Sequence, residues 1–226
     1  MPTFAEKAIL YFSDLNIPPK LPNSVKVLNP YEDNLVKEIT KKFYKKFYND
    51  ENNRTFIIGI NPGRFGGGIT GISFTDPVAL RNKCGIPNNL GIKKELSSQF
   101  IYWVIESFGG TKKFFSKYYL TALYSLAFLK DGKNFNYYDD KQLLKIIKPF
   151  LIESLKKQID FGCYKGSVIC LGKKNGEFLQ EVNNELNYFK EIKILDHPRF
   201  IMQYRRKLLN NYIDEYLNVL HSGNSK

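Results

Sequence analysis

The sequence contains few metal-binding residues and no apolar run long enough to cross a membrane. Its 226 residues include three cysteines and two histidines. Cys84, Cys163 and Cys170 form no CxxC pair, so a structural zinc or iron-sulfur site lacks ligands, and we expect no bound metal. A membrane span needs about 18 consecutive apolar residues, and the first residues do not follow the order of a signal peptide. We therefore expect a cytoplasmic protein that makes no contact with a membrane.

Acidic residues are in the minority, since 34 Lys and Arg residues stand against 22 Asp and Glu residues and give a formal net charge of +12. An excess of this size favours association with polyanions such as nucleic acid. A solvated, lysine-rich surface of the kind common in proteins from AT-rich genomes explains the same numbers. Charge alone therefore leaves a nucleic-acid partner and an ordinary basic surface equally open.

Four short apolar runs predict buried strands, at Thr55–Gly59, Tyr118–Ala122, Ser167–Leu171 and Glu191–Leu195. Segments with helical spacing precede, separate and follow them, at residues 4–15, 30–48, 95–108, 139–159, 176–188 and 200–220. Strands that alternate with helices indicate a parallel sheet with right-handed crossovers. We expect a single α/β domain, a three-layer α/β/α sandwich with a central, mainly four-stranded parallel sheet. Residues 1–50 would form an N-terminal helical layer, and residues 222–226 a frayed tail.

The most informative segment follows the first predicted strand and reads GINPGRFGGGITGISF, residues 59–74. Its glycines allow a ligand to approach the backbone closely, and Pro62 stiffens the turn. Residues 66–71 also satisfy G-x-G-x-x-G, the dinucleotide-binding fingerprint. That fingerprint begins directly at a strand end and opens a helix, whereas here residues 61–65 intervene and we do not expect residues 72–77 to start a helix. A nucleotide-cofactor oxidoreductase is therefore the weaker reading, and we expect no cofactor.

The run Gly-Ile-Asn-Pro-Gly-x-Phe-Gly, followed by Thr-Gly-x-x-Phe, resembles the first motif of single-strand-selective monofunctional uracil-DNA glycosylases, in the uracil-DNA glycosylase superfamily. The second motif of that family begins His-Pro after the last strand, and here His197 and Pro198 follow the predicted strand at residues 191–195. Residues 108–120 resemble the family's approach to its second strand. The likeness covers roughly residues 55–210 and is greatest to a divergent bacterial branch.

The resemblance implies a DNA repair enzyme that flips a damaged base out of DNA and hydrolyses its N-glycosidic bond, leaving an abasic site. In the role that the family implies, Asn61 positions the attacking water and His197 donates a ring N–H to the departing base. Phe74 matches the aromatic residue that stacks on the flipped base. Backbone groups of Ile60 and Gly63 match positions that line the base pocket.

Cationic side chains in and after the two motifs are candidates for contacts with the phosphates that flank a flipped nucleotide: Arg64, Arg199, Arg205, Arg206 and Lys207. The apolar residues Phe200, Ile201 and Met202 could fill the gap left by the base, or could form the buried face of the last helix. We expect a monomer whose partner is single- or double-stranded DNA that contains a damaged base.

The sequence departs from the family where an asparagine after the second strand normally reads the base, because Ala122 stands there. Asn134 and Asn136 could take over this role, or could only shape a turn. Uracil, 5-hydroxymethyluracil, xanthine and hypoxanthine all remain possible substrates. A non-catalytic module that holds single-stranded or damaged nucleic acid on the same fold is the alternative to an enzyme.

Overall fold

The structure is a computed structural model that describes residues 1–15, 17–18 and 20–222. In chain order its elements are α1 (Phe4–Ser13), β1 (Val25–Leu28), α2 (Asn34–Phe47), β2 (Thr55–Gly59), α3 (Gly67–Thr70), α4 (Pro77–Asn82), α5 (Leu96–Phe108), α6 (Thr111–Lys117), β3 (Tyr118–Ala122), β4 (Ala127–Lys130), β5 (Lys133–Phe135), α7 (Lys141–Ile159), β6 (Ser167–Leu171), α8 (Lys173–Leu186), β7 (Glu191–Leu195), α9 (Pro198–Tyr204) and α10 (Leu209–Ser222). Short 3-10 turns lie at Pro30–Glu32 and Arg206–Leu208.

Four parallel strands form the central sheet, in the order β3-β2-β6-β7. Every residue of β2 and β3 is buried, as expected for apolar strands covered on both faces, whereas the edge strand β7 exposes Glu191 and Ile194. The four predicted strands are confirmed with their bounds. The predicted α/β class, a parallel sheet flanked by helices, is confirmed as well.

Aromatic side chains join the N-terminal helices to this sheet. The ring of Phe4 on α1 stacks on Tyr48 with centroids 5.2 Å apart, and it meets Tyr119 on β3 edge to face at 5.0 Å. Phe56 on β2 packs against Tyr119 at 4.8 Å. Such ring pairs contribute beyond the burial of their area, so α1 and α2 are fixed against the β2–β3 half of the sheet.

The structure contains a second, smaller sheet that the sequence did not predict. Strands β1, β4 and β5 pair antiparallel in the order β1-β4-β5. The prediction of an entirely helical N-terminal layer is wrong at Val25–Leu28, because these four residues pair with Ala127–Lys130, about a hundred positions later in the chain. A strand this short takes its stability from its partner rather than from its own sequence.

The single closing helix predicted for residues 200–220 is also wrong. The segment forms α9, a 3-10 turn and then α10. Residues 203–208 are all exposed and include three successive cations at 205–207, so neither packing nor charge favours a continuous helix there. Ser222 ends α10, and residues 223–226 of the predicted tail lie outside the described residues. Within the described chain, no helix combines the length and the apolar character that a membrane span requires.

Candidate active site

The carboxyl ends of the parallel strands meet at one edge of the central sheet and open onto a cleft. Ile60 and Asn61 follow β2, Ala122 ends β3, and His197 comes two residues after β7. Ligands of open α/β sheets bind at this edge. The cleft has a volume of about 540 Å³ with its open mouth included, and its walls are formed by Ile60, Asn61, Pro62, Gly63, Ser73, Phe74, Glu95, Ser97, Ala122, Asn134, Asn136, His197 and Arg199.

Asn61 presents an unused acceptor to the cleft. Its amide nitrogen donates a hydrogen bond to the Phe135 carbonyl at 3.1 Å. Its Oδ1 atom is buried and, among the described residues, has no hydrogen-bond partner. A buried carbonyl oxygen left in this way costs about 1 to 3 kcal/mol, and such an exception calls for an explanation. A hydrogen-bond donor that enters the cleft, such as a water molecule, would satisfy this oxygen.

His197 is fixed in one tautomer by the helix that it begins. It is the N-cap of α9, and its Nδ1 atom accepts a hydrogen bond from the backbone N–H of Arg199 at 3.1 Å. The proton of the neutral ring must then reside on Nε2. Burial and, to a smaller extent, the nearby positive charge of Arg199 together lower the pKa of His197 to about 4. The ring is therefore a neutral N–H donor at neutral pH.

Phe74 lies in the same cleft, with its ring centroid 6.0 Å from that of His197. Its backbone has φ +56°, in the left-handed region that non-glycine residues seldom adopt. Backbone strain of this kind costs on the order of 1 to 3 kcal/mol and is concentrated at functional sites. The ring lies against Gly59, where a Cβ atom would come within 2.5 Å of Phe74 Cζ, so glycine at position 59 makes room for the aromatic ring.

The β4–β5 hairpin carries Asn134 and Asn136 to the cleft and is bonded to the glycine-rich loop. The backbone N–H of Arg64 donates to Asn134 Oδ1 at 2.9 Å, and the Arg64 guanidinium donates to the Gly132 carbonyl. Asn134 therefore uses its oxygen to hold the loop and keeps its N–H groups for the cleft. Asn136 also lines the cleft, next to the buried Tyr137, whose hydroxyl donates to Asn175 Oδ1 at 2.7 Å.

Glu95 also lines the cleft, although the sequence alone gives no sign of it. It is the N-cap of α5, and its backbone N–H donates to Asp76 Oδ2 at 2.9 Å. Its carboxyl group lies against Gly63 and Gly66, where a Cβ atom on either glycine would clash with it. Burial and, to a smaller extent, the negative charge of Asp76 raise the pKa of Glu95 to about 7, although the positive charge of Arg199 opposes the rise. In the sequence Glu95 only marks the start of a helix, so nothing there identifies it as a site residue.

The predicted phosphate-binding residues occupy different places. Arg199 lines the cleft, and Arg205 lines a neighbouring cavity formed by residues that include Gly172, Lys173, Lys174 and Phe200. The side chain of Arg64 is held by the hairpin and lies 4.4 Å from the centroid of the Phe65 ring. Arg206 and Lys207 are exposed in the 3-10 turn and line neither cavity.

The burial of residues 200–202 decides between the two roles predicted for them. Ile201 and Met202 are 0% and 4% exposed and form the inner face of α9, whereas Phe200 is 37% exposed. Filling the gap left by a base would require an accessible side chain. Of the three, only Phe200 therefore stays available for that role.

The sequence profile of the uracil DNA glycosylase superfamily matches residues 45–221. This range is well over half of the chain and includes every residue that lines the cleft. The chain belongs to this superfamily. Its fold is similar to the crystal structure of wild-type SMUG2 from Pedobacter heparinus, with 41% sequence identity over 100% of both chains and a TM-score of 0.96. No curated protein gives a significant match. Two motifs predicted that the chain belongs to this superfamily and resembles its single-strand-selective monofunctional (SMUG) members, and both predictions are confirmed.

Proposed function

We propose that this chain is a monofunctional DNA N-glycosylase that hydrolyses the bond between deoxyribose and a deaminated or oxidised base, leaving an abasic site. The observation that carries the proposal is the pairing of two groups in one cleft. Asn61 offers a buried, unpartnered oxygen, and His197 offers a neutral N–H donor. A hydrolytic cleavage needs one group to orient the attacking water and one to stabilise the leaving base, and these two side chains can fill those roles.

Cleavage of the glycosidic bond passes through an oxocarbenium-like transition state, in which negative charge develops on the departing base. The Nε2–H of His197 would donate to the base oxygen that gains this charge, and one such donor contributes about 3 to 4 kcal/mol. Asn61 would orient the attacking water through Oδ1. An amide cannot take up a proton as a carboxylate does, so stabilisation of the leaving base supplies most of the rate.

The flipped base would stack on Phe74. Extrusion of a base from the helix costs a few kcal/mol, least in single strands and mispairs, and stacking on an aromatic ring returns roughly 1 to 3 kcal/mol per base. The net charge of +12, Arg199 in the cleft and Arg205 in the neighbouring cavity favour DNA as the partner. No lysine is among the described residues of the cleft wall, which supports hydrolysis rather than a Schiff-base pathway. We further propose that the protein acts as a monomer in the cytoplasm.

The experiment that tests this function is a cleavage assay on a single-stranded oligonucleotide with one deoxyuridine, run in EDTA and finished with hot alkali. Asn61→Ala and His197→Ala are the test variants, and Glu177→Gln on the exposed face of α8 is the matched control. We expect a cleavage band from the parent and the control that is lost in both test variants. The same assay is then run with 5-hydroxymethyluracil, xanthine and hypoxanthine. Binding without cleavage of any of the four bases would favour the non-catalytic module.

A further inference from the structure

The cleft has no asparagine at the end of β3, since Ala122 lines it there with a methyl group that cannot form a hydrogen bond. Two other groups in the same cleft are free to contact a base. In the described part of the chain the Glu95 carboxyl group has no hydrogen-bond or ion-pair partner. Asn134 uses Oδ1 for the backbone N–H of Arg64, so only its Nδ2 hydrogens face outward. The cleft therefore offers one carboxyl group and one set of N–H donors.

The Glu95 carboxyl group and the Asn134 amide both lie beside the backbone of Gly63. A Cβ atom on Gly63 would clash with Glu95 Oε1 and would lie 3.3 Å from Asn134 Nδ2. An acceptor and a donor thus lie close to each other in the wall of the cleft. Each residue is anchored by a hydrogen bond. The backbone N–H of Glu95 donates to the Asp76 carboxylate at 2.9 Å, and the backbone N–H of Arg64 donates to Asn134 Oδ1 at 2.9 Å.

We propose that Glu95 and Asn134 together read the imide edge of the flipped base. A Glu95 oxygen would accept the ring N–H, and Asn134 Nδ2 would donate to the adjacent carbonyl. This inference rests on the proposed function and deepens it by naming the class of base. Glu95 and Asn134 would take the place of the base-reading asparagine, which this chain lacks because Ala122 stands at its position.

The chemistry of deamination explains why this pair would be selective. Uracil and hypoxanthine present a ring N–H beside a carbonyl, and 5-hydroxymethyluracil and xanthine carry the same edge. Cytosine and adenine present an amino donor beside a bare ring nitrogen, so their amino group would face the Asn134 donor. A site that leaves buried polar groups unpaired rejects the wrong partner strongly. Thymine and guanine share the imide edge, so this pair does not distinguish them.

The surroundings of Glu95 fit an acceptor that awaits a donor. The carboxyl group is partly buried and is influenced by the negative charge of Asp76 and the positive charge of Arg199. A buried carboxylate without a hydrogen bond is costly, and the ring N–H of an imide base would remove that cost on binding. Gly63 and Gly66 are needed at their positions because any side chain there would occupy the place of the carboxyl group.

The test measures binding apart from cleavage. Single-stranded oligonucleotides carry a non-cleavable 2′-fluoroarabino uridine or its N3-methyl counterpart, and fluorescence anisotropy gives the ratio of the two Kd values for each variant. We expect the parent and Glu177→Gln to prefer uridine at least tenfold and Glu95→Ala to show a ratio near one. Glu95→Gln should keep part of the preference, because its amide oxygen still accepts. Asn134→Asp keeps an oxygen for Arg64 but places a second oxygen against the base carbonyl, so it should weaken uridine binding.

Two outcomes would overturn the inference. One is a parent without preference for uridine over its N3-methyl form. The other is a Glu95→Ala variant that loses cleavage but keeps the parent's binding ratio, which would place Glu95 at the attacking water instead. If the parent cleaves none of the four bases, the proposed function fails, yet the binding ratio still decides whether Glu95 and Asn134 read the imide edge.

Discussion

Replacement of His197 by alanine tests the proposed source of the catalytic rate. The variant loses the Nε2–H donor that would stabilise the charge on the leaving base, and loss of one such donor costs about 3 to 4 kcal/mol. We expect single-turnover cleavage of a deoxyuridine oligonucleotide to slow by roughly 10²- to 10³-fold. His197→Gln, which carries an N–H near the place of Nε2, should retain part of the rate. Binding of the non-cleavable oligonucleotide should change little, because the donor acts mainly in the transition state.

The pH dependence reveals which form of His197 is active. Burial and Arg199 lower the pKa of the imidazole to about 4, so the ring is neutral from pH 5 to 8 and is protonated only near pH 4. Its contribution to the rate should therefore be constant between pH 5 and 8. Glu95, with its pKa raised to about 7, titrates inside this window. Single-turnover rates should accordingly be measured in the Glu95→Gln variant, where that carboxyl group is absent.

A neutral donor gives a flat profile in this variant. A rate that falls about tenfold per pH unit above pH 6.5 would show that the active donor is the imidazolium form. That result would refute the argument from the hydrogen bond between His197 Nδ1 and the Arg199 N–H. An alanine variant that cleaves at the parent's rate would refute any role for His197 in the chemistry.

Three further predictions concern the walls of the cleft. Phe74→Ala should weaken binding of the 2′-fluoroarabino uridine oligonucleotide by roughly 1 to 3 kcal/mol, with Tyr164→Ala, an exposed aromatic residue that lines neither cavity, as the control. An unchanged Kd for Phe74→Ala would contradict stacking on Phe74. Gly63→Ala should displace the Glu95 carboxyl group and abolish the preference for uridine over N3-methyluridine, measured by anisotropy, and a retained preference would contradict the placement of Glu95. Glu95→Gln should raise the free energy of unfolding at pH 8 by up to about 3 kcal/mol, because the raised pKa of about 7 means that ionisation destabilises the folded state. That gain should shrink to under about 1 kcal/mol at pH 5 and vanish below the unfolded-state pKa of about 4.5, where the carboxyl group is protonated in both states. An equal gain at pH 8 and pH 4 in chemical denaturation would contradict the charge argument.

The central sheet was predictable because each of its strands is recognisable from its own sequence. Thr55–Gly59 and Tyr118–Ala122 are apolar runs bounded by polar or glycine residues, and burial on both faces requires such runs. Asn61, Phe74 and His197 were predictable because they belong to contiguous motifs beside these strands. The structure brings all three to one cleft.

The rest depended on tertiary contacts that no local pattern encodes. The strand at Val25–Leu28 forms only because Ala127–Lys130 lies beside it. Asn134 and Asn136 remained ambiguous in the sequence, because a segment rich in Asn, Asp and Gly shapes a turn whether or not it also faces a ligand. The hydrogen bond between Arg64 and Asn134 Oδ1 shows that the hairpin joins the glycine-rich loop, 70 residues earlier in the chain.

Glu95 explains why the glycine-rich loop contains glycines at positions 63 and 66, which the sequence alone does not reveal. Glycines at 63 and 66 indicated that some group approaches the backbone closely, and the natural candidate was the ligand itself. In the structure the group at that place is a carboxyl group from the start of α5, which fills the space of the two missing side chains. The loop would then contribute to base recognition indirectly, by admitting Glu95 beside Asn134. The glycines of a loop next to a strand can thus make room for a side chain from elsewhere in the fold. Only the packed structure distinguishes this role from direct contact between the loop and a ligand.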